Sequence, residues 1–227
     1  DRELKLLVMD ALETIEVAVL RTQMVEQFAL LHGAFGYIQT SNFQPAISSE
    51  RHAKLLDELA YTVSKSREEF VSRFKNKYIN EQHLPLWMAA ELMTFGQLLT
   101  FYNGLNLVEK QNLAKRYDVF APVFDSWLLS LNFIRNVCAH HQRLWNRLIP
   151  LQPLIPYARH RPDWHSPYTP NSNRIFVILC ILQDMMKHIE PRNMWKYRLQ
   201  TLLNTYPDIP HREMGFPDSW QNSKLWQ

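Results

Sequence analysis

The stretch PVFDSWLLSLNFIRNVCAHHQRLWNR, residues 122–147, carries the clearest structural pattern in the chain. Its apolar side chains recur at intervals of three or four residues: Val123, Trp127, Leu131 and Ile134. This is the repeat of a helix with one packed face. Pro122 suits the first turn of such a helix, because the N–H that proline lacks is not needed there. We therefore predict one helix from Pro122 to about Arg147.

The same repeat extends outward over most of the chain and predicts an all-α protein. Further helices are predicted at about 2–31, 48–78, 86–102, 107–117, 173–189 and 192–205. Residues 34–47, which include Gly36 and Pro45, are predicted to form a loop. The chain has only five glycines, which disfavours a β-sandwich with many tight turns.

Residues 150–171 differ in kind from the rest. Six of the thirteen prolines fall there, so no long helix is expected. We predict a long Pro-rich loop with basic and aromatic side chains. The tail from Tyr206 is expected to pack irregularly through its aromatic residues.

Composition limits the cellular setting and the number of domains. Hydrophobic residues make up 46% of the 227 residues and the net charge is +3, which fits a folded chain. The longest apolar run, Ile175–Leu182, is too short for a membrane span, and no signal peptide opens the chain. Two cysteines do not make a disulfide framework. We expect one cytoplasmic domain over residues 1–227, without a membrane partner.

A polar stripe runs along the end of the helix that contains residues 122–147. Asn136 and His140 are four residues apart and share a face, which Asn132 and Arg143 extend. Arg135, Arg143 and Arg147 add positive charge, and no acidic residue occurs between Asp125 and Asp163. A polar stripe of Asn, His and Arg differs from an ordinary solvated face rich in Lys and Glu. Arg143 and Arg147 also suit a helix C-terminus, where cations are favoured.

The spacing of Arg135 and His140 suggests that a second copy of the chain is involved. Five residues turn a helix by about 140°, so one helix does not easily aim both side chains at a single phosphate. Two copies packed around a two-fold axis could form one composite pocket. Such a pocket suits metal-free RNA cleavage, in which an imidazole removes the 2′-hydroxyl proton and an arginine braces the phosphate. Arg-x4-His pairs also occur without any catalytic role.

A family resemblance strengthens this interpretation. RNVCAHHQRLWNR, residues 135–147, closely resembles the signature of the bacterial abortive-infection (Abi, AbiD/AbiF-like) proteins of the HEPN superfamily. Four further segments also look like that family: DRELKLLVMDALETIEVAVLRTQ, SKSREEFVSRFKNKY, LPLWMAAELMTFGQL and YPDIPHREMGFPDSW. Since relatives usually carry residues before the DREL-like segment, the resemblance implies an N-terminus that continues further.

The resemblance implies an all-α, homodimeric, metal-independent ribonuclease of phage defence that needs no cofactor. Its Arg-x4–6-His motif maps onto Arg135, Asn136 and His140 as the catalytic set. His141, Arg143 and Arg147 are expected to support RNA binding. Some relatives are linked to a small structured RNA, so RNA is expected as substrate and also as a possible regulator.

The Pro-rich loop adds further candidates for RNA contact. Arg159, Arg161 and Trp164 interleave charge with an aromatic ring, which suits phosphate contact and base stacking. An equally good interpretation is a surface loop held down by its aromatics. No metal site is expected: His160 and His165 have the spacing of half a zinc finger, but the cysteine half is absent.

Two alternatives to a ribonuclease stay open at this point. The same stripe could grip a structured RNA without cutting it, as the protein half of a toxin–antitoxin pair. Alternatively, Arg135 and His140 could only hydrogen-bond across a protein interface. Cleavage of RNA in the presence of EDTA would distinguish the metal-independent ribonuclease from both alternatives.

Overall fold

The computed structural model describes residues 1–44 and 47–227, and it is all-α. The helices are α1 (Arg2–Ile15), α2 (Val25–His32), α3 (Ser49–Lys65), α4 (Glu69–Lys77), α5 (Leu86–Leu92), α6 (Phe95–Gly104), α7 (Leu107–Lys115), α8 (Ala121–Ala139), α9 (Ile175–Ile189) and α10 (Trp195–Thr205). A π-helical segment, Glu16–Met24, lies between α1 and α2. Over the described ranges, the only β-type pairing is one isolated bridge between Leu148 and Arg174.

The chain divides into two compact units. One consists of Asp1–Ile15 together with Ala114–Gln227, and the other of Glu16–Leu113. The prediction of a single domain stays a prediction. No helix in the described part of the chain is long and apolar enough to cross a membrane.

The first unit is built around α9, whose residues from Ile175 to Met186 are all buried. A helix that is apolar on every side must be covered on every side. Helices α1, α8 and α10 pack against it, and the indole of Trp195 donates a hydrogen bond to the backbone oxygen of Leu7 at 2.9 Å. The candidate functional residues therefore belong to the unit that holds this apolar core.

The C-terminal tail packs through aromatic rings, as the sequence predicts. The ring of Phe176 lies 4.4 Å from that of Phe216, and the rings of Trp220 and Trp226 are 4.8 Å apart. Gly215 has a φ of +92°, a conformation that favours glycine, and its position leaves no room for a side chain beside Arg174.

The second unit has its own aromatic core, where the ring of Phe28 lies 4.8 Å from that of Phe101. Arg21, in the π-helical segment, donates hydrogen bonds to the backbone oxygens of Ala90 and Met93. These carbonyls lie at the C-terminal end of α5, where the guanidinium adds to the bond that the Met93 N–H makes with the Ala90 oxygen at 3.2 Å.

Two long helices predicted from the sequence are each divided in the structure. The predicted helix 48–78 is α3 and α4, separated at Ser66, whose extended backbone ends α3. The predicted helix 86–102 is α5 and α6, separated by Thr94, which forms a capping box with Gln97. A capping box provides hydrogen-bond acceptors for the first N–H groups of a helix, so it favours the start of α6 at this point over the continuation of α5. Pro45, in the predicted loop 34–47, lies outside the described residues.

Candidate functional site

Helix α8 presents the predicted catalytic residues at its C-terminal end. A proline stands in its first turn, and Val123, Trp127, Leu131 and Ile134 are buried, as predicted from their spacing. The opposite face carries exposed or half-exposed side chains at Leu129, Asn132, Asn136 and Ala139. The packed face therefore fixes the orientation in which the polar stripe meets solvent.

The helix ends at Ala139, not at Arg147, so the predicted C-terminal boundary is wrong. His140 is the C-cap, and His141 adopts the left-handed conformation with a φ of 55°. The N–H of His141 donates to the Cys138 oxygen at 3.1 Å, and that of Gln142 to the Val137 oxygen at 3.0 Å. This pair of bonds is a Schellman motif, which ends a helix by satisfying its last carbonyls. Arg143 and Arg147 consequently lie beyond the helix.

The start of the chain braces the turn that follows α8. One carboxylate oxygen of Asp1 accepts hydrogen bonds from the backbone N–H groups of Leu144 and Trp145, both at 2.9 Å. Lys5 approaches Asp1 at 3.2 Å, and its ammonium donates to the backbone oxygen of His141 at 3.4 Å. The sequence analysis missed this brace. Its only local signal is the Asp–Lys pair at a spacing of four residues.

The three predicted catalytic residues lie close together in the chain and have no partners. Arg135 is half-buried, whereas Asn136 and His140 are exposed. Within the described residues, none of the three side chains makes a hydrogen bond or an ion pair. Arg135 leaves α8 near the edge of its packed side, about 140° around the axis from His140. Both groups are free to meet a ligand, but they leave the helix in different directions.

The neighbouring basic residues differ in how firmly they are held. His141 and Arg143 are exposed, and their side chains have no partner in the described chain. The guanidinium of Arg147 lies 5.5 Å from the ring centre of Phe133 and donates to the Gln142 side chain at 2.9 Å. Arg147 therefore stabilises the turn, while His141 and Arg143 are available for contacts.

Two predicted RNA-binding residues of the Pro-rich segment are buried, which corrects that prediction. The guanidinium of Arg161 is held by both carboxylate oxygens of Asp184, at 2.6 and 3.1 Å, and by both of Asp163, at 3.0 and 2.8 Å. Trp164 has no exposed surface, and its ring lies 5.2 Å from that of Trp127. Both side chains are committed to the core and cannot contact RNA in this structure. Arg159 is exposed, as an RNA contact requires.

The cluster of Arg161, Asp163 and Asp184 shifts the pKa values of its two carboxyl groups in opposite directions. Partial burial opposes ionisation of Asp163, but hydrogen bonding to Arg161 and its charge outweigh burial, so the pKa of Asp163 lies below its ordinary value. Asp184 is more deeply buried, and this burial raises its pKa despite the same arginine. The cluster is a structural clamp between the Pro-rich segment and α9.

Other chemistry at the end of α8 has little support. Burial raises the pKa of the Cys138 thiol to about 11, although the charge of Lys5 opposes the shift. The thiol is therefore protonated at neutral pH and is a poor nucleophile. His165 hydrogen-bonds the Pro156 oxygen at 2.6 Å and the Thr169 hydroxyl at 3.0 Å. Within residues 1–44 and 47–227, no group of three or more His, Cys, Asp or Glu side chains could hold a metal ion.

Comparison with known proteins identifies a family. The family model described as "Abi-like protein" matches residues 1–146, which is more than half of the chain. The matched part contains Arg135, Asn136, His140, His141 and Arg143, and it stops before the Pro-rich segment. No curated protein and no solved structure matches the chain.

Proposed function

The chain belongs to the family of Abi-like proteins, and from this premise we propose that it acts in phage defence as a metal-independent endoribonuclease of the HEPN type. The name Abi denotes abortive infection, in which an infected cell is sacrificed or arrested before the phage spreads. Cleavage of cellular or phage RNA would have that effect.

One observation carries the proposal: five polar side chains around the end of α8 are unengaged. Arg135, Asn136, His140, His141 and Arg143 have no intramolecular partner in the described chain, although the turn that carries the last three is firmly braced. Exposed polar side chains without a protein partner are available to a ligand, because no intramolecular bond has to break first. Two of the five, Arg135 and Arg143, are cations, which fits contact with a phosphate backbone.

Each residue has a distinct chemical task in the proposed reaction. The imidazole of His140 removes the proton of an RNA 2′-hydroxyl, which attacks the adjacent phosphorus. The guanidinium of Arg135 donates to the phosphate oxygens as negative charge accumulates on them. Asn136 orients the imidazole or the substrate. The bond between phosphorus and the 5′-oxygen breaks, and that oxygen takes a proton from a water molecule, to which the imidazolium of His140 then gives up its own proton. The products are a 2′,3′-cyclic phosphate and a 5′-hydroxyl.

The proposed site is completed by a second copy of the chain. Arg135 and His140 leave α8 about 140° apart, so one protomer does not easily direct both at the same phosphate. A homodimer in which the two α8 helices meet brings the arginine of one copy towards the histidine of the other.

The test is RNA cleavage in EDTA by the purified chain and its variants. We expect His140→Ala to lower the rate by about 10²–10⁴-fold and Arg135→Ala by about 10²–10³-fold. His83→Ala and Arg192→Ala are matched controls outside the proposed site and should retain activity. A 2′-deoxy substitution at the cleaved position should block cleavage.

Two outcomes would contradict a ribonuclease. Activity that EDTA abolishes would indicate a metal-dependent reaction instead. Salt-dependent binding of RNA that stays intact, weakened by the same two variants, would identify the protein as a non-cleaving RNA-binding module.

A further inference from the structure

A cavity of about 230 Å³ adjoins the braced turn at Trp145, and all of its lining residues belong to the first of the two compact units. Its apolar walls come from α1, from the end of α10 and from the tail: Leu4, Leu203, Tyr206, Ile209 and Met214. Pockets for drug-sized molecules measure about 300–1,000 Å³. The cavity therefore suits a smaller ligand, such as one ring system.

Two aromatic side chains at the cavity are available for contact. Trp145 is half-buried and Tyr206 is 47% exposed. Neither ring packs on another ring in the described chain, and the indole N–H of Trp145 and the hydroxyl of Tyr206 have no hydrogen-bond partner there. Aromatic side chains of this kind stack on unpaired bases, because every base has a flat π-face.

A buried nitrogen of His211 lacks a hydrogen-bond partner. Nε2 of this imidazole is enclosed, yet within residues 1–44 and 47–227 it neither donates nor accepts a hydrogen bond. The ring is held against the tail, 5.8 Å from the ring of Phe216. A buried polar atom without a partner is unfavourable, so its presence needs an explanation. Since the imidazole lines the cavity, a polar ligand there is in a position to supply the missing bond.

The cavity lies within one nucleotide's reach of the proposed catalytic turn. Trp145 follows Arg143 by two residues, so their Cα atoms are at most about 7.6 Å apart. The guanidinium of Arg143 is exposed and unengaged in the described chain. Both carboxylates at the cavity are already partnered: that of Asp1 accepts from the turn, and that of Glu3 lies 3.6 Å from the guanidinium of Arg2. A phosphate at Arg143 can therefore place its base in the cavity.

We propose that this cavity binds one unpaired nucleobase of the RNA, beside the phosphate that Arg143 contacts. Trp145 and Tyr206 contact the faces of the base, and His211 exchanges a hydrogen bond with its polar edge. An apolar peptide side chain would leave these polar groups unpaired, whereas a base carries donors and acceptors around a flat ring. That the ligand is RNA rests on the proposed function. The cavity adds a preference for loops and single strands over a continuous duplex, because a stacked base cannot enter it.

The direct test is the fluorescence of Trp145 during titration with 5′-mononucleotides. Five of the seven tryptophans are buried, so Trp87→Phe leaves Trp145 as the one indole that is not buried. We expect at least one of AMP, CMP, GMP and UMP to quench this fluorescence saturably, whereas ribose 5-phosphate, which has no base, should not. If none of the four quenches saturably, the cavity is not a base pocket.

The aromatic contacts are tested with a control tyrosine of equal exposure. Tyr206→Ala should weaken the binding of a single-stranded RNA oligonucleotide by about 5- to 150-fold, which is the effect of losing one base stack. Tyr197→Ala is the control, because Tyr197 is 48% exposed on the same helix and does not line the cavity. Fluorescence anisotropy in a His140→Ala background measures the affinity while the RNA stays intact. Trp145→Phe should retain most of the affinity that Trp145→Ala loses.

His211→Phe separates binding of a ligand from a structural role. Phenylalanine keeps a flat ring beside Phe216 but removes both ring nitrogens. Because Nε2 makes no bond in the described chain, the variant should melt at or above the wild-type temperature. It should nevertheless bind the oligonucleotide about 2- to 10-fold more weakly. A variant that loses stability and keeps its RNA affinity would overturn the assignment of His211 to the base.

The base pocket and the ribonuclease can fail separately. A chain that binds single-stranded RNA through Trp145 and Tyr206 but never cuts it would contradict the ribonuclease and leave the base pocket standing. Wild-type cleavage and affinity in Trp145→Ala and Tyr206→Ala would contradict the base pocket alone. Mononucleotides that bind at Trp145 while RNA affinity is independent of it would assign the cavity to a free nucleotide and overturn the proposed RNA contact.

Discussion

Replacement of His141 by glycine should stabilise the protein while weakening its proposed activity. His141 is the residue after the C-cap of α8 and has a φ of 55°, in the left-handed region. Histidine tolerates this region better than most residues, but glycine is the usual occupant of this position in a Schellman motif. The side chain of His141 has no partner in the described chain that would compensate for the strain.

The size of the effect follows from two opposing contributions. A side chain in the left-handed conformation costs about 1–2 kcal/mol, which His141→Gly removes. The greater conformational freedom of glycine in the unfolded chain offsets about 0.5–1 kcal/mol of that gain. The net increase in the free energy of unfolding is therefore between about 0 and 1.5 kcal/mol. For a chain of 227 residues this corresponds to a rise in Tm of at most about 6 °C.

Thermal denaturation and RNA cleavage should be measured on the same preparations of wild type, His141→Gly and His141→Ala. Alanine needs the same strained backbone, so His141→Ala should not gain stability. Both variants should bind RNA more weakly, because they lack the exposed imidazole. A His141→Gly variant that is less stable than the wild type would refute the strain argument. Unchanged RNA affinity in both variants would refute the proposed role of His141.

Three further predictions concern the framework around the site. Arg161→Met should lower the free energy of unfolding by about 3–5 kcal/mol in chemical denaturation, because it leaves the carboxylate of Asp184 buried without its cation; a loss of RNA affinity without a loss of stability would contradict the structural role. Burial raises the pKa of Cys138 to about 11, so little of the reactive thiolate is present at pH 8. Cys138 should therefore react with iodoacetamide at pH 8 about 10²-fold more slowly in the folded than in the denatured protein. Equal rates in the two states would show that the thiol is accessible. Gly215→Ala should lower the free energy of unfolding, measured by thermal denaturation, by more than about 1 kcal/mol. The control Gly96→Ala lies in a helix with open space around it and should leave the stability unchanged or increase it. Equal melting temperatures for the two variants would be inconsistent with the left-handed backbone at Gly215.

The helix boundaries show what the sequence could and could not predict. The periodic apolar residues of α8 predicted its packed face correctly, because burial follows spacing. The end of α8 was missed because a histidine, not a glycine, occupies the left-handed position. The start of α6 was predictable in principle, since Thr94 and Gln97 have the spacing of a capping box, but apolar periodicity continues through the break.

The candidate site shows a similar division between local and distant information. Arg135, Asn136 and His140 could be singled out because their signal lies within six residues. Arg161 was assigned to RNA because its buried partner Asp184 is 23 residues away on α9, and only folding brings the two together. Its second partner, Asp163, is two residues away, but the sequence does not show that the pair is buried. Basic and aromatic residues in a loop are therefore a poor predictor of RNA binding, because the sequence does not show whether an acidic residue elsewhere in the chain pairs with them in the core.

The arrangement of the chain has a consequence for when the protein becomes active. Helix α1 is synthesised before α8, α9 and α10, so its apolar face stays uncovered until these three helices have followed it. The brace from Asp1 to Leu144 closes a separation of 143 residues, and the bond from Trp195 to Leu7 closes one of 188. A nascent chain that ends before α9 therefore lacks the core behind the braced turn. Translation itself delays the proposed toxic activity until the last helices have been synthesised, which protects the cell that makes the protein during its production.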